Sequence, residues 1–531
     1  MTALAGTGEL VRLALRRDRV TLPLWLAVLG LMPALVANAY AGLYPTEALR
    51  APLTAMVGSN PALAVLLGPA YDLSTPGGFT AWRVLGFLSV VTALLVIFTV
   101  TQNTRAEEET ARHELLVSGV VGRHAPLTAA VVVATAAAAG AGLLATAALL
   151  AVGLPMPGSL AFGAALAGVG WVFTGIAAIT AQLVAFGRTA NGIATGVLGA
   201  SFLLRGLGDA SPRASWLSWL SPIGWAQQLR PFAQERWWVL ALPVAATVLT
   251  LAVGYLLLAH RDAGAGILPQ RLGRASAPPS LHSAFALAWR LHRGPLAGWT
   301  VGAALAGTAF GAVAIGVGDL ITENPAMREI FRRMVDSTLV IEAFLAQIAR
   351  MFGMVAAFYG VQAALRAHGE EVVTRVEPLL ATTVTRWRFA ASHLVFALAG
   401  TAVVLAAAGL AAGIAHGLRA GDVAGYAGRM LAATQVQLPA IWLVVGVAAA
   451  LFGLVPRRIS AAWAAAAGFV LLALLGPALN LDPLLVDVSP FSHVSQLPVA
   501  DLAIAPLAWL TLIAVALLAV GLVAFRRRDI A

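Results

Sequence analysis

No lysine occurs anywhere in the 531 residues; all 34 basic residues are arginine. That absence has a chemical consequence. A phosphate-binding P-loop needs a lysine after its glycines to reach the nucleotide phosphates. This chain carries none, so if ATP drives it, another polypeptide hydrolyses the ATP. Cysteine is missing as well, which excludes a disulfide framework and a thiolate metal site. Charge is scarce: 11% of residues are charged and 60% hydrophobic, with a mean hydropathy of +0.85. A soluble chain of this length needs far more surface charge, so the bulk solvent here is lipid. The net charge of +10 suits the arginine bias of a membrane protein and does not call for nucleic acid.

A spanning helix takes ~20 mostly apolar residues. Such runs lie near residues 22–44, 82–104, 125–152, 158–186, 190–206 and 237–259, and again near 296–318, 345–366, 389–416, 430–454, 460–479 and 504–525. They predict an all-α polytopic membrane protein of about twelve transmembrane helices. The run 190–206 is short for a full crossing. With the N-terminus inside, the inner segments collect Arg12, Arg16, Arg17, Arg19, Arg105, Arg123, Arg188, Arg261, Arg386, Arg457, Arg458 and Arg526 to Arg528, whereas the outer ones hold fewer. The positive-inside rule therefore places both termini in the cytoplasm, and the heavy alanine, arginine and glycine usage suggests a bacterial plasma membrane. Leu10 to Val20 mixes apolar residues with arginines, as an amphipathic helix on the inner membrane surface does.

The chain repeats itself. Arg16-x-x-Arg19 before Trp25 returns as Arg290-x-x-Arg293 before Trp299, and Asn60-Pro61-Ala62 as Asn324-Pro325-Ala326. Glu107-Glu108, Arg112, Glu114, Leu116 and Arg123 return as Glu370-Glu371, Arg375, Glu377, Leu379 and Arg386. Ser221-Pro222 returns as Ser489-Pro490, and Arg261-Asp262 as Arg528-Asp529. The common order at a nearly constant offset predicts two six-helix halves, residues 1–262 and 284–531, joined by a Gly/Pro-rich linker, 263–283. An even number of spans per half makes the repeats parallel, a pseudo-dimer about an axis along the membrane normal.

The loop after the second span of each half is the most informative stretch. Residues 105–123 and 368–386 are too polar to cross a bilayer and too long for a tight turn. Glu108→Arg112 and Glu371→Arg375 stand at i,i+4, the favourable order for a helical ion pair. A short amphipathic helix there suits docking of a cytosolic partner. A solvated loop would also be polar, but the duplicated charge order argues for a docking element.

At these residues the sequence resembles the ABC type-2 exporter permeases, and among them the fused actinobacterial permeases described as exporters of polyketide antibiotics. The likeness rests on E-E-x-x-x-R-x-E-L-L-V-S-G-V-V-G-R (107–123), L-S-P-I-G-W (220–225), L-R-P (229–231), R-D-A-G-A-G (261–266) and S-P-F-S-H (489–493). It implies N-terminal elbow helices, and coupling helices seated on two copies of a cytosolic ABC ATPase that holds ATP and Mg. By position, Glu107, Glu108, Arg112, Glu114 and Arg123 form the first coupling helix. Glu370, Glu371, Arg375, Glu377 and Arg386 form the second. Pro378 stands where the first copy has Leu115; proline disturbs a helix interior, so the two surfaces are expected to differ. The chain itself binds no cofactor, and no nucleophile–base pair or metal-ligand spacing marks an enzyme.

A proton-coupled secondary multidrug transporter is the competing expectation, since it also pairs two parallel halves. Proton relays need acids or histidines within spans, and no acid lies well inside a predicted run. Intramembrane amides suit helix–helix bonds as well as substrate. Phe87, Phe98 and Gln102 of the second span, with Met354, Phe358, Tyr359 and Gln362 of the eighth, would line a cavity for hydrophobic or amphipathic molecules; ordinary packing is the plainer reading of the same residues. The placing of Arg350 stays open, between snorkelling outward and facing the cavity. The tryptophan-rich segment 211–238 reads as short interfacial helices.

Overall fold

The computed structural model describes residues 3–44, 50, 64, 67–109, 121–209, 212–262, 264–269, 276–323, 337–372, 374–475 and 482–528. The landmarks Asn60-Pro61-Ala62 and Asn324-Pro325-Ala326, and Arg112 and Glu114, lie outside them. The chain divides into two compact units, Met1–Gly273 and Arg274–Ala531.

The first unit opens with α1 (Thr7–Arg17), an amphipathic helix burying Ala14. There follow α2 (Thr21–Leu43), α3 (Pro76–Gln102), the short α4 (Arg105–Glu109), α5 (Ala125–Ala151), α6 (Met156–Leu183), α7 (Gly187–Asp209), the short α8 (Pro222–Gln228) and α9 (Ala241–Ala259). The second unit holds α10 (Ala284–Glu323), α11 (Ser337–Ala364), the short α12 (Arg366–Val372) and α13 (Val376–Leu380), α14 (Arg386–Ala420), α15 (Val423–Gln435), α16 (Leu438–Leu454), α17 (Ala461–Leu475), the short α18 (Pro483–Val486) and α19 (Ile504–Arg527). Among the described residues no strand occurs.

Among the described residues nine helices are long and apolar enough to cross a membrane, which makes this a multi-pass membrane protein. Of the twelve predicted runs, those near 190–206, 296–318 and 460–479 are not among the nine. Helix α7 carries Arg188, Asn191, Arg205 and Asp209, and the described part of α17 is short. The run near 430–454 is split in two: α15 ends at Gln435, and α16 starts afresh with Pro439 in its first turn, where a missing N–H costs nothing.

Small residues let the helices touch. Gly142 of α5 and Gly163 of α6 cross so closely that a Cβ on either would stand 2.3 Å from the other's carbonyl oxygen. In the second unit a Cβ on Gly453 of α16 would stand 2.2 Å from the carbonyl oxygen of Gly521 on α19. Asp209 is the last residue of α7 and is nearly buried, 3.6 Å from the buried Arg205 and bonded at 2.7 Å by the Ser218 hydroxyl. The fifth helix outlasts its apolar run, which is why the sequence placed this acid beyond the span.

Candidate functional site

Three successive glutamates on α4 each tie it to a different element. Glu107 accepts a 2.6 Å bond from Arg17 at the end of α1, and the same guanidinium reaches Asn103 at 2.8 Å. Glu109 accepts from the backbone N–H of Gly187, placing a carboxylate at the N-terminus of α7, where the helix dipole favours it. Glu108, 8% exposed, lies between two arginines. Arg261, just past α9, forks onto both its oxygens at 2.7 and 2.8 Å, and the fully buried Arg105 donates at 2.8 Å. Paired, bidentate and desolvated charges of this kind are the strong ones.

The start of the predicted linker belongs to this cluster. The carbonyl of Ala265 accepts from Arg105 at 3.0 Å and from Arg261 at 2.9 Å. Ile267 and Leu268 then donate to Gln182 and Leu183, at the end of α6, at 3.1 and 2.9 Å. Gly266 between them has no room for a side chain, because a Cβ would stand 2.7 Å from the backbone of Val184. The R-D-A-G-A-G motif is therefore a structural seam: an arginine, the carbonyl it grips, and a glycine that lets the strand of chain lie against α6.

Arg123 completes the bracket. Its guanidinium donates to the carbonyls of Leu258, Ala259 and Arg261 at 3.1, 3.1 and 2.9 Å. These close the C-terminus of α9, where carbonyls lack intrahelical partners and a cation is favoured.

The second unit repeats the device. Arg386 donates to the carbonyls of Arg526 and Arg528 at the end of α19. Glu371 pairs with Arg528, which also bonds the Phe452 carbonyl at 2.8 Å and lies 5.3 and 5.4 Å from the ring centroids of Phe452 and Phe525. Each unit thus ties the segment after its second span to the end of its last helix, with one arginine on the terminal carbonyls and a glutamate on a second arginine just past the helix or at its end. The acids are shared out differently. In the first unit Glu108 holds both Arg105 and Arg261, while in the second Arg366 takes Glu370 at 2.8 Å and Arg528 takes Glu371.

The i,i+4 pair Glu371→Arg375 does not form. Helix α12 ends at Val372 and Thr374 takes a left-handed φ of 56°, so Arg375 leaves that helical face and stands 3.6 Å from Glu370 instead. The same turn changes the meaning of Pro378. It sits in the first turn of α13, not in a helix interior, where proline is tolerated. Arg375, Glu377 and Pro378 are exposed around the buried Val376. Glu107, Glu108, Glu370, Glu371, Arg123 and Arg386 are engaged within their own units; the residues of the second copy that face outward are Arg375 and Glu377.

The predicted cavity residues part company. Met354 and Tyr359 are buried in the second unit's core; the Tyr359 hydroxyl donates to the Phe396 carbonyl at 3.2 Å, and Gly400 leaves it room. They are packing residues, because they sit off the open face of α11. That face is marked by Ala343, Gln347, Met351, Val355 and Gln362. Phe358 is half-buried and stacks on Trp463 of α17 at 6.4 Å, and Gln362 accepts from the Trp299 indole at 2.8 Å. Phe87, Phe98 and Gln102 are exposed on α3. Among the amides, Gln435 bonds the Ala402 carbonyl of α14 at 3.0 Å, as helix glue does. Arg350 reaches the Ala473 carbonyl of α17 at 3.4 Å.

Comparison with known proteins agrees with this picture. The family model described as multidrug efflux system permease Rv1217c, C-terminal domain, matches residues 8–258 and 281–526. The multidrug efflux system permease protein Rv1217c of Mycobacterium tuberculosis (strain ATCC 25618 / H37Rv) is 44% identical over 526 residues, which cover 99% of this chain and 95% of that protein. The chain belongs to the Rv1217c family of multidrug efflux system permeases.

Proposed function

We propose that this chain is the transmembrane subunit of an ATP-driven exporter of the ABC type-2 kind. It moves hydrophobic or amphipathic small molecules, drug-like or polyketide-like, out across the plasma membrane. Two copies of a separate cytosolic ATPase, holding ATP and Mg, dock beneath two parallel six-helix halves whose termini both face the cytoplasm. The observation that carries the reading is the duplicated bracket. A partner pushing on the segment after the second span would move the last helix with it, because Glu108–Arg261 and Arg123 in one unit, and Glu371–Arg528 and Arg386 in the other, join the two. Alternating access follows if each nucleotide cycle shifts both segments together.

A proton-coupled cycle would have to use Asp209 or the buried His292–His393 pair, whose ring nitrogens lie 2.9 Å apart. The Asp209 carboxylate is already held by Arg205 and Ser218.

The test uses the outward-facing charges. In membranes holding chain and ATPase together, Arg375→Glu with Glu377→Arg should leave thermal stability unchanged and abolish both co-purification of the ATPase and drug-stimulated hydrolysis. Normal coupled turnover in that variant, or efflux that survives loss of the ATPase and collapses with a protonophore, would overturn the proposal.

A further inference from the structure

The two units differ most at one place. Trp219 and Trp225 of the first unit stand, at the offset of 268 positions set by Ser221-Pro222 and Ser489-Pro490, opposite Asp487 and His493 of the second, and Trp238, at the offset of 267 set by Arg261-Asp262 and Arg528-Asp529, stands opposite Ala505. The local frame is kept. The Trp225 indole N–H donates to the carbonyl six residues before it, that of Trp219, at 2.6 Å; His493 Nε2 does the same to Asp487 at 2.8 Å. In the first unit Trp219 and Trp238 stack at 5.6 Å with an interplanar angle of 13°. In the second there is a groove of about 440 Å³, lined by Leu443, Val488, Trp509 and Ile513 and by all three replaced positions. Trading three indoles for smaller side chains releases space of this order.

Apart from the Trp509 indole N–H, the groove offers acceptors. A carbonyl only accepts, so His493 Nε2 carries the proton, and in the neutral ring Nδ1 is left as an acceptor. Asp487 adds an exposed carboxylate. Trp509, 65% exposed, offers an aromatic face, which attracts cations. Acceptors and an aromatic wall in a slot shaped for rings favour a flat aromatic body carrying a positive nitrogen. We infer that this groove binds planar aromatic cations, a small-molecule site in the second unit alone. As a site for exported cargo it rests on the exporter reading; as a binding site it stands by itself.

The test is equilibrium binding to the full chain in phosphatidylcholine nanodiscs, without ATPase or nucleotide. The probes are 9-aminoacridine, a cation at neutral pH, and acridine, the same ring system uncharged. The wild type should prefer the cation by about tenfold, one charge-assisted contact's worth. Asp487→Asn should erase that preference, Asp487→Glu should restore most of it, and Ala505→Trp, which returns the first unit's residue, should block both probes. Because Asp487 is exposed, its variants keep the test decisive if Ala505→Trp does not fold. Equal affinity for the two probes, or an unchanged Asp487→Asn, would overturn the site. So would loss of binding in phosphatidylethanolamine discs, which would assign the groove to a lipid ammonium headgroup. Efflux of uncharged drugs that survives Asp487→Asn leaves the exporter reading intact whatever the groove does. Binding that persists in the Arg375→Glu, Glu377→Arg variant leaves the groove intact if export fails.

Discussion

Replacing Glu108 by glutamine keeps its shape and removes one negative charge from between two arginines. Arg105 is fully buried and Arg261 is 6% exposed, so neither gains water in compensation. Taking one partner from a buried ion pair costs about 3–5 kcal/mol, mostly through the charge left behind. Glu371→Gln should cost less, about 1–3 kcal/mol. Its arginine, Arg528, keeps the Phe452 carbonyl and two aromatic rings when the carboxylate goes. The measurement is detergent-titrated unfolding followed by the intrinsic fluorescence of the 14 tryptophans. Each single variant would be compared with the double variants Glu108→Gln, Arg261→Met and Glu371→Gln, Arg528→Met. The first pair should show a coupling of about 1–3 kcal/mol, and the neutral double variant should recover part of the single loss. A Glu108→Gln protein as stable as wild type, or no less stable than Glu371→Gln, would refute the account of the bracket.

Arg123→Ala and Arg386→Ala should each lower stability by about 1–2 kcal/mol, since several terminal carbonyls lose one cation. Hydrogen exchange should show the last turns of α9 and α19 opening selectively, and uniform exchange would argue against a local cap. Gly266→Ala should cost about 1–3 kcal/mol through overpacking against Val184; proteolysis near residue 270 should accelerate, and an unchanged cleavage rate would count against an anchored linker.

The membrane helices were legible because lipid demands long apolar runs and little else imitates them. The acids of the bracket were legible because they recur in order. Their partners were not. Arg261 and Arg528 entered the sequence reading as landmarks of helix ends, and a pair separated by 153 positions (108 to 261) leaves no local spacing to read. The usable signal was joint recurrence: acid and arginine reappear together in the second half. Arg375 was assigned to Glu371 because helical spacing assumes an unbroken helix, and one left-handed residue, Thr374, ends it. Met354 and Tyr359 were placed in a cavity on residue type alone. Direction around the helix decides such cases, and a span packed on most sides has no amphipathic pattern from which to read it. Asp209 lies beyond the predicted run 190–206, and its burial against Arg205 is what an apolar pattern does not show.

The exchange of three tryptophans for Asp487, His493 and Ala505 bears on why the two units share one polypeptide. A homodimer must repeat each residue on both sides of its axis, so it could have two walls of indoles or two grooves. One gene encoding both halves removes that constraint. Mutations can then open one side while the other keeps its packing, and every molecule made carries one of each.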